Sequence, residues 1–262
     1  MAILIFFVVL WYLSLFSQTF FLHRYAAHGS VKMSPFWEKF FYVFTFITQG
    51  SSYLSPRAYG VMHRMHHAYT DTELDPHSPT YSKNVVDMML KTHRVYSDIF
   101  TGKTVVDERF TKNVPDWRSF DKFAHSTFAR LMWVGLYVAF FIIFADSWWY
   151  WLLMPFVVSM GVVHGAIINW YAHKFGYINY KVRNTSMNLL AVDILMMGES
   201  YHNNHHKYPG SPNFGKRWHE LDPTYPVILL LTKLGIIKIA RPVAVHVEGD
   251  NDRDHDHHNN EF

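Results

Sequence analysis

Histidine is the residue type with the most chemical potential in this chain of 262 residues, which has 18 histidines and no cysteine. Without cysteine, disulfides, thiolate zinc sites, cysteine-ligated iron–sulfur clusters and cysteine nucleophiles are excluded. Neutral imidazole is a good ligand for iron, zinc, copper and nickel. Eight histidines fall in three short segments, HRYAAH, HRMHH and HNNHH: His23 and His28; His63, His66 and His67; and His202, His205 and His206.

The spacing within these segments predicts how the imidazoles divide between ions. Residues three and four apart share one face of a helix, so His63 and His67 can bind the same metal ion. His66 points about 100° away from His67 and can reach a second ion. The HNNHH segment repeats this geometry. Structural zinc needs only four ligands, so eight or nine imidazoles favour two ions.

The remaining candidate ligands, the His23–His28 pair and His173, lie near the ends of predicted helices. His23 and His28 are five residues apart, which is about 140° on an ideal helix, and they can converge if the helix loosens near Gly29. His173, in the sequence NWYAH that begins at Asn169, lies at the end of an apolar segment and completes the set.

The remaining histidines are interpreted as ordinary surface or core residues. His164 is nine residues before His173 and lies on nearly the opposite helix face. Those in the polar tail could bind metal weakly without function. The ordinary group contains His77, His93, His125, His164 and His219, and the tail group contains His255, His257 and His258.

Three apolar segments can position these residues at a membrane. Residues 1–22 carry no charged side chain, and about 20 apolar residues suffice to cross the hydrocarbon core. A signal peptide is disfavoured because a basic n-region and a cleavage site are lacking. Residues 131–145 and 148–172 predict a transmembrane hairpin with an aromatic-rich turn.

Charge predicts the orientation of these spans. All 24 lysine and arginine residues lie in 23–130 or 174–262. The positive-inside rule places both blocks in the cytoplasm, with the N-terminus outside and the C-terminus inside. The net charge of +3 does not suggest a nucleic-acid-binding protein.

The cytoplasmic blocks 23–130 and 174–245 predict a mostly helical cap, because neither shows an alternating strand pattern. Residues 36–54 predict a buried, interfacial or re-entrant helix, and 225–240 an amphipathic helix on the surface. Residues 116–126 are interpreted as a loop leading into the hairpin.

The expected fold class is therefore an all-α integral membrane protein with about three transmembrane helices, interfacial helices and a metal-binding cap. Residues 1–245 are expected to form one domain. Residues 246–262 form an acidic, histidine-containing tail that is expected to be disordered.

The three segments resemble the histidine boxes of the integral-membrane fatty-acid desaturases. Their flanks, HRMHHAYTDTELDPH and GESYHNNHHKYP, are similar to the Δ9 acyl-CoA desaturase branch, and the similarity spans about residues 15–215 in a short, bacterial-type form. The resemblance implies two iron ions, dioxygen as co-substrate, and a cis double bond introduced into a saturated acyl chain at Δ9. A bacterial inner-membrane location with a cytoplasmic active site is expected.

The resemblance also implies a ligand set. One iron would take both histidines of the first box and three others: His23, His28, His63, His67 and His206. The second iron would take four: His66, His173, His202 and His205. Asn169 would hold a water on this second iron. Carboxylates often orient metal-bound histidine, and the candidates, which could equally be surface or capping groups, are Asp71, Glu73, Asp75 and Glu199.

Departures from the family pattern leave the acyl carrier open between acyl-CoA, acyl carrier protein and a membrane lipid. Val61-Met62 stand where relatives have an Arg-Asp pair that helps recognise CoA. One apolar segment precedes the first box, where animal relatives have a hairpin. The third box begins with His202 rather than Gln, which disfavours the front-end type.

The electron donor is expected to be a separate protein of the ferredoxin or cytochrome b5 type, with its reductase. The chain has no cysteine for an internal ferredoxin and no HPGG haem-binding element. Such donors are usually acidic, and a docking face could be formed by basic residues. The candidates are Lys83, Lys91, Arg94, Lys103, Lys207, Lys216 and Arg217.

Two other functions are alternatives for a membrane protein with clustered histidines. A related membrane di-iron hydroxylase acting on a lipid, sterol or carotenoid would share the metal chemistry. A non-catalytic metal carrier is less favoured, because transporters place their ligands near the bilayer midplane and these clusters lie at the cytoplasmic boundary.

Overall fold

The computed structural model describes residues 1–240. A long first helix consists of α1 (Ala2–Phe16) and its π-helical extension (Ser17–Ala27). The elements that follow are β1 (Val31–Met33), α2 (Pro35–Gln49), a 3₁₀ turn (Gly50–Ser52), α3 (Pro56–Tyr69), α4 (Val85–Thr101), α5 (Glu108–Thr111), α6 (Arg118–Ala124), α7 (Thr127–Phe144), a second 3₁₀ segment (Trp148–Leu153), α8 (Met154–Val158), α9 (Met160–Ala166) with a π-helical extension (Ile167–Tyr171), α10 (His202–Lys207), α11 (Thr224–Lys233) and β2 (Ile237–Ile239).

The first helix can span a membrane and continues past the predicted segment 1–22. It runs over 26 residues, Ala2–Ala27, which is about 39 Å at helical rise and longer than the roughly 30 Å hydrocarbon core. It ends before Gly29, whose φ of 61° is typical of a left-handed helix C-terminus. The first histidine box therefore lies in the final turns, where the helix leaves the apolar layer.

The predicted hairpin is present, but its second arm is bent. The first arm, α7, is an 18-residue candidate span. The second arm consists of Trp148–Val158 and Met160–Tyr171, which meet at 71°. At the break, the Ser159 hydroxyl donates a hydrogen bond to the Pro155 carbonyl over 2.6 Å and competes with regular helix formation. Within the described residues, two helices can span a membrane, or three if the bent pair counts as one, in agreement with the predicted fold class.

Helix α2 lies in the segment 36–54, for which a buried, interfacial or re-entrant helix was expected, and it is amphipathic. Its buried face packs Phe41 against the extension of α1. The opposite face is a stripe of exposed apolar side chains, which is typical of a helix lying at a membrane surface. The stripe contains Phe36, Phe40, Val43 and Ile47.

Two local predictions are wrong. Residues 116–126 contain α6 rather than only a loop, and Asp121 of α6 is buried, where it accepts hydrogen bonds from Tyr53 (2.6 Å) and Ser55 (2.6 Å). The helix predicted over 225–240 ends at Lys233, and β2 then pairs antiparallel with β1. Strands of three residues are too short to produce a recognisable alternation in sequence.

The segment 174–201 also contains less helix than the cap was expected to have. Two isolated bridges join Tyr177 to Asn188 and Asn188 to Tyr201. The side-chain amide oxygen of Asn188 (Oδ1) accepts hydrogen bonds from the backbone N–H groups of Asn203 (3.0 Å) and Asn204 (3.2 Å). Side-chain hydrogen bonds to the backbone replace helical ones here. The disorder predicted for 246–262 concerns residues outside the described part of the chain.

Candidate metal centre

The structure brings all nine predicted histidines together in two adjacent clusters. Within each cluster, the candidate ligand atoms lie within 4.8 Å of one another. The extension of α1, helix α3, the turn after the α9 extension, and α10 supply them. The first cluster contains His23, His28, His63, His67 and His205, and the second contains His66, His173, His202 and His206.

A π-helix explains how the first box contributes two ligands to one cluster. The His28 backbone N–H donates to the His23 carbonyl over 3.1 Å, which is the i→i+5 pattern of a π-helix. In that geometry, residues five apart lie on nearly the same face. The helix therefore loosens as expected, but from Ser17 onward rather than only near Gly29.

Helix α3 brings the second box close to the first through a glycine and an arginine. A Cβ atom on Gly60 would lie 3.0 Å from the Ala26 carbonyl oxygen, so the helix approaches at backbone contact distance. The buried Arg64 side chain donates to the carbonyl of Ala27 (2.5 Å) and to that of Ala26 (3.3 Å). These contacts hold His63 at the end of the first span.

The third box divides differently from the ligand set implied by family resemblance. His205 belongs to the first cluster and His206 to the second, the reverse of that expectation. The Nε2 atoms of His202 and His206 are 3.0 Å apart, as the i,i+4 spacing favours. His205 instead faces His67, with 2.8 Å between their Nε2 atoms. HNNHH therefore follows the pattern of HRMHH, in which the first and last histidines share an ion.

The distances between Nε2 atoms fit a bound metal ion in each cluster. Neighbouring Nε2 atoms are 3.0 Å apart for His63–His28 and His173–His202, and 3.2 Å apart for His66–His206. Two nitrogens that each bind one metal ion at about 2.0–2.1 Å are about 3.0 Å apart when their bonds meet at a right angle. At the tetrahedral angle the two nitrogens would be about 3.4 Å apart. The five imidazoles of the first cluster also exceed the four ligands of a tetrahedral structural zinc site.

The environment favours the neutral, metal-binding form of eight of the imidazoles. Burial, reinforced by neighbouring histidines, holds their pKa values well below the usual range. Burial also lowers the pKa of His173, against an opposing effect of Asp71. Neutral rings need not lose a proton before coordination. The seven strongly affected side chains are those of His28, His63, His66, His67, His202, His205 and His206.

Two of the candidate carboxylates contact a cluster histidine directly. The Nδ1 atom of His23 is 2.7 Å from Glu199 Oε2, and that of His66 is 2.9 Å from Asp75 Oδ1. A carboxylate accepts a hydrogen bond from Nδ1–H, and the lone pair of Nε2 is then free to face the metal. The first-cluster carboxylate is Glu199, and the second-cluster carboxylate is Asp75.

The other two candidates differ from each other. Asp71 acts at one remove, because its Oδ1 lies 3.2 Å from the Thr185 hydroxyl, which lies 3.1 Å from His173 Nδ1. Glu73 is exposed on the surface. The structure therefore connects Asp71 to the second cluster through Thr185 and leaves Glu73 in solvent.

Glu199 belongs to a buried charge network. Burial alone would raise the pKa of its carboxyl, but His23 and Arg24 hold that pKa below the usual value. Thr19 also donates a hydrogen bond to it. Arg24 pairs in turn with the buried Asp222, at 2.7 Å. The first box is thereby connected to the chain segment after α10.

A mainly apolar cavity of about 530 Å³ leads to the clusters. It lies between the first helix, α3, α4 and α9, and Asn169 is on its wall. Imidazoles of both clusters form part of the wall, so a chain held in the cavity would contact the metal centre. The wall includes Leu15, Met62, Met89 and Ile168, together with His23, His63 and His202.

Four further histidines line this cavity, although their isolated positions in the sequence had suggested ordinary surface or core residues: His77, His93, His125 and His164. His77 and His164 are 2% and 1% exposed, and their ring nitrogens have no hydrogen-bond partner among the described residues. The His77 ring lies 4.1 Å from that of His66, centroid to centroid. A signal existed for His77, which follows Asp75 by two residues in ELDPH, whereas an isolated His164 in an apolar helix gave none.

Comparison with known proteins agrees with this geometry. The family model for fatty acid desaturase matches residues 1–231. The chain is 29% identical to the sn-1 stearoyl-lipid 9-desaturase of Synechocystis sp., over 82% of this chain and 64% of the relative. It is 29% identical to the Delta-9 desaturase-like 4 protein of Arabidopsis thaliana, over 87% and 73%. It is 31% identical to an acyl-CoA 5-desaturase of Anemone leveillei, over 88% and 69%.

The aligned part spans somewhat under two thirds of the Synechocystis relative. The match covers both candidate metal clusters and the helices that carry them. With membrane-spanning helices, buried histidine clusters and a match over nearly the whole described chain, this protein belongs to the fatty acid desaturase family.

Proposed function

We propose that this protein is an oxygen-dependent fatty-acyl desaturase that introduces a cis double bond at Δ9 into a saturated acyl chain. The observation that carries the proposal is the apolar cavity whose wall includes ligands of both histidine clusters. Position 9 follows the printed names of the Synechocystis and Arabidopsis relatives. The Anemone relative, a 5-desaturase of similar identity, makes double-bond position an essential measurement.

The cofactor proposed is a pair of iron ions, one in each cluster. Bound iron would supply the oxidising chemistry that removes hydrogen from an unactivated methylene, which no side chain can do. The nine imidazoles would hold the ions, and Asn169 would hold a water at the second cluster. Overall, dioxygen would accept two hydrogens from the chain, two electrons from the donor and two protons from solvent, forming two water molecules.

The contribution of the protein is to bind and orient the chain. The cavity wall excludes water and limits the conformations of an acyl chain, so that adjacent methylenes lie beside the clusters. Glu199 and Asp75 keep one imidazole of each cluster in a single tautomer. Position along the cavity would thus decide which carbons react.

Electrons are proposed to come from a separate protein that docks on the cytoplasmic side. The lysines and arginines predicted to form the docking face lie outside the three apolar segments. An acidic ferredoxin or cytochrome b5 would be attracted to this basic side. The inner membrane of a bacterium, with the metal centre and C-terminus in the cytoplasm, is the proposed location.

Expression in a host with a suitable reductase tests the function directly. Total fatty acids are analysed for new cis-monoenes and for double-bond position, comparing the parent with His67→Ala and with His219→Ala as a control outside both clusters. We expect a new Δ9 monoene from the parent and the control, and only the host background from His67→Ala at equal protein level.

Two results would contradict the proposal. If His67→Ala forms as much new monoene as the parent, the metal assignment fails. If the parent forms hydroxylated lipids without a new double bond, the protein is instead the related di-iron hydroxylase.

A further inference from the structure

Two of the nine candidate ligands are less enclosed than the other seven. The seven are buried, whereas His67 of the first cluster and His206 of the second cluster are half-buried. The rings of these two residues stack on each other, with centroids 4.4 Å apart and planes at 26°. Both candidate metal sites therefore approach the molecular surface at one place, which we call the stacked pair.

Each ring of the stacked pair reaches directly into its own cluster. The Nε2 atom of His67 lies 2.8 Å from that of His205 and 3.0 Å from that of His63. The Nε2 atom of His206 lies 3.0 Å from that of His202. A single imidazole thus separates the surface from each candidate metal site.

The stacked pair is separate from the apolar cavity. Among residues 1–240, the cavity wall includes His23, His63 and His202 but neither ring of the stacked pair. An acyl chain in the cavity and a protein at the stacked pair would therefore approach the clusters from different directions, and the two can be bound together.

Exposed cations surround the stacked pair. Lys207 follows His206 directly and is exposed. The side-chain nitrogen of Asn184 lies 3.3 Å from His206 Nδ1, and the nearby Lys181 and Arg183 are exposed. Within the described part of the chain, none of these three cations has a carboxylate oxygen within 4.0 Å. Their charge is therefore available to an acidic partner.

An aromatic contact brings the chain segments that carry these cations together. The rings of Tyr180 and Tyr208 are 5.2 Å apart and nearly perpendicular, at 88°. Lys181 and Lys207 are their immediate neighbours in the chain, so both lysines lie beside the same contact. We call the surface formed by Lys181, Arg183 and Lys207 around the stacked pair the basic face.

Carboxylates on the neighbouring turn, residues 70–75, offset this positive charge only in part. Asp71 and Asp75 are half-buried. Asp71 accepts the backbone N–H of Thr185 over 2.6 Å, and Asp75 holds His66. Glu73 is exposed. Three exposed cations against this one exposed carboxylate leave the basic face attractive to an acidic protein, and removal of the Glu73 charge should strengthen the attraction.

We propose that the basic face is the docking site of an acidic one-electron carrier protein, and that electrons enter both metal sites through the stacked pair. The inference rests on the proposed function, because it names where that reaction receives its electrons. Each encounter oxidises the carrier by one electron and reduces one metal ion by one electron. Two encounters supply the two electrons that the proposed reaction takes from its donor. Charge attraction speeds such encounters and weakens as ionic strength rises.

Zero-length crosslinking locates the docking site without altering the protein. The full-length, iron-loaded protein in phosphatidylcholine nanodiscs is mixed with a plant-type ferredoxin or with the soluble domain of cytochrome b5, both acidic. A carbodiimide then joins carrier carboxylates to the lysines they contact. Mass spectrometry should find Lys181 and Lys207 among the linked residues, and added salt should reduce the links. Links confined to Lys83, Lys91 or Lys103, on or next to α4, would overturn the proposal, as would the absence of links.

Charge reversal tests the basic face by affinity. The double variant Arg183→Glu/Lys207→Glu is compared with the matched double variant Lys83→Glu/Lys103→Glu, whose two positions are also exposed, and with Glu73→Lys. We expect the Kd for the carrier to rise about tenfold or more in the first variant, to stay unchanged in the second, and to fall in the third. Iron content equal to that of the parent confirms folding. Equal Kd values in all variants would overturn the proposal.

Three further outcomes separate this inference from its alternatives. If anionic lipid protects Lys181 and Lys207 from acetylation without any carrier, the basic face binds the membrane surface and the proposal fails. If Arg183→Glu/Lys207→Glu forms monoene at the parental rate with the same carrier, the docking site is wrong and the proposed function stands. Carrier links on the basic face with no double bond formed in any lipid would support the docking site and contradict the proposed function.

Discussion

At the scale of single residues, the two clusters are oriented by different carboxylates. Glu199 holds His23 and is itself held by Arg24 and Thr19. Asp75 holds His66, and its two oxygens also accept backbone N–H groups of His77 (3.0 Å) and Asp71 (2.9 Å). Glu199 is anchored by the Arg24 guanidinium, whereas Asp75 is anchored by backbone N–H groups of the turn that contains it. Each should therefore affect the metal occupancy of its own cluster.

We expect Glu199→Gln and Asp75→Asn each to weaken binding of one metal ion by about 10–100-fold, because an unfixed imidazole tautomer presents Nε2 less often. Iron content per protein, measured after equilibration against a graded chelator, should fall towards one ion in either variant. Glu73→Gln, at an exposed position, should retain two. Full occupancy in both buried variants would show that these contacts do not orient the ligands.

At the scale of elements, the approach of α3 to the first helix determines whether two boxes can share an ion. Gly60 is at the contact, and an added Cβ would also lie 3.3 Å from Val114 Cγ1. Because the nearest neighbours are backbone atoms of the first helix, they cannot rotate away. His63 is one turn further along α3, so displacement of the helix would also displace a ligand.

Gly60→Ala should therefore destabilise the protein by about 1–3 kcal/mol through overpacking. Gly135→Ala is the matched control, because that glycine is also helical and a Cβ there meets nothing within 4 Å. It should be neutral or stabilising by about 0.5–1 kcal/mol. Thermal unfolding and iron content in detergent distinguish the two. Equal behaviour of both variants would contradict the close approach.

At the scale of the whole molecule, the positive-inside rule predicts that the histidine clusters and the basic residues share one side of the membrane. Apart from Arg24 and Arg130, which lie in the two long spans, all lysines and arginines lie outside the spans and the bent pair, and the turn at 145–147 contains none. The same rule predicts that the turn at Asp146 lies on the opposite side from the loop after α4, which contains Thr104. Both residues are exposed.

Cysteine labelling tests this orientation, since the chain has no native cysteine. In intact cells, a membrane-impermeant maleimide should label Asp146→Cys but not Thr104→Cys. Permeabilisation should make Thr104→Cys reactive, because the positive-inside rule places its loop in the cytoplasm. The reverse pattern would place the metal centre outside the cell and contradict the proposed electron donor.

The sequence by itself determined the properties that depend on short-range periodicity and composition. Histidines at i, i+3 and i+4 indicated metal binding and two ions, since helix geometry alone places them on two faces. Uncharged runs of sufficient length indicated spans, and the positions of lysine and arginine indicated one shared side. The six histidines of the second and third boxes divide between two clusters in the structure as this spacing predicts.

Only the tertiary structure decided which histidines of different helices share a cluster and which residues line the cavity. The exchange of His205 and His206 follows from how α10 faces α3, and the convergence of His23 and His28 needs a π-helix. His164 lines the cavity although its apolar neighbours gave no signal. These features depend on contacts between residues far apart in the chain, and local spacing carries no information about how two helices face each other.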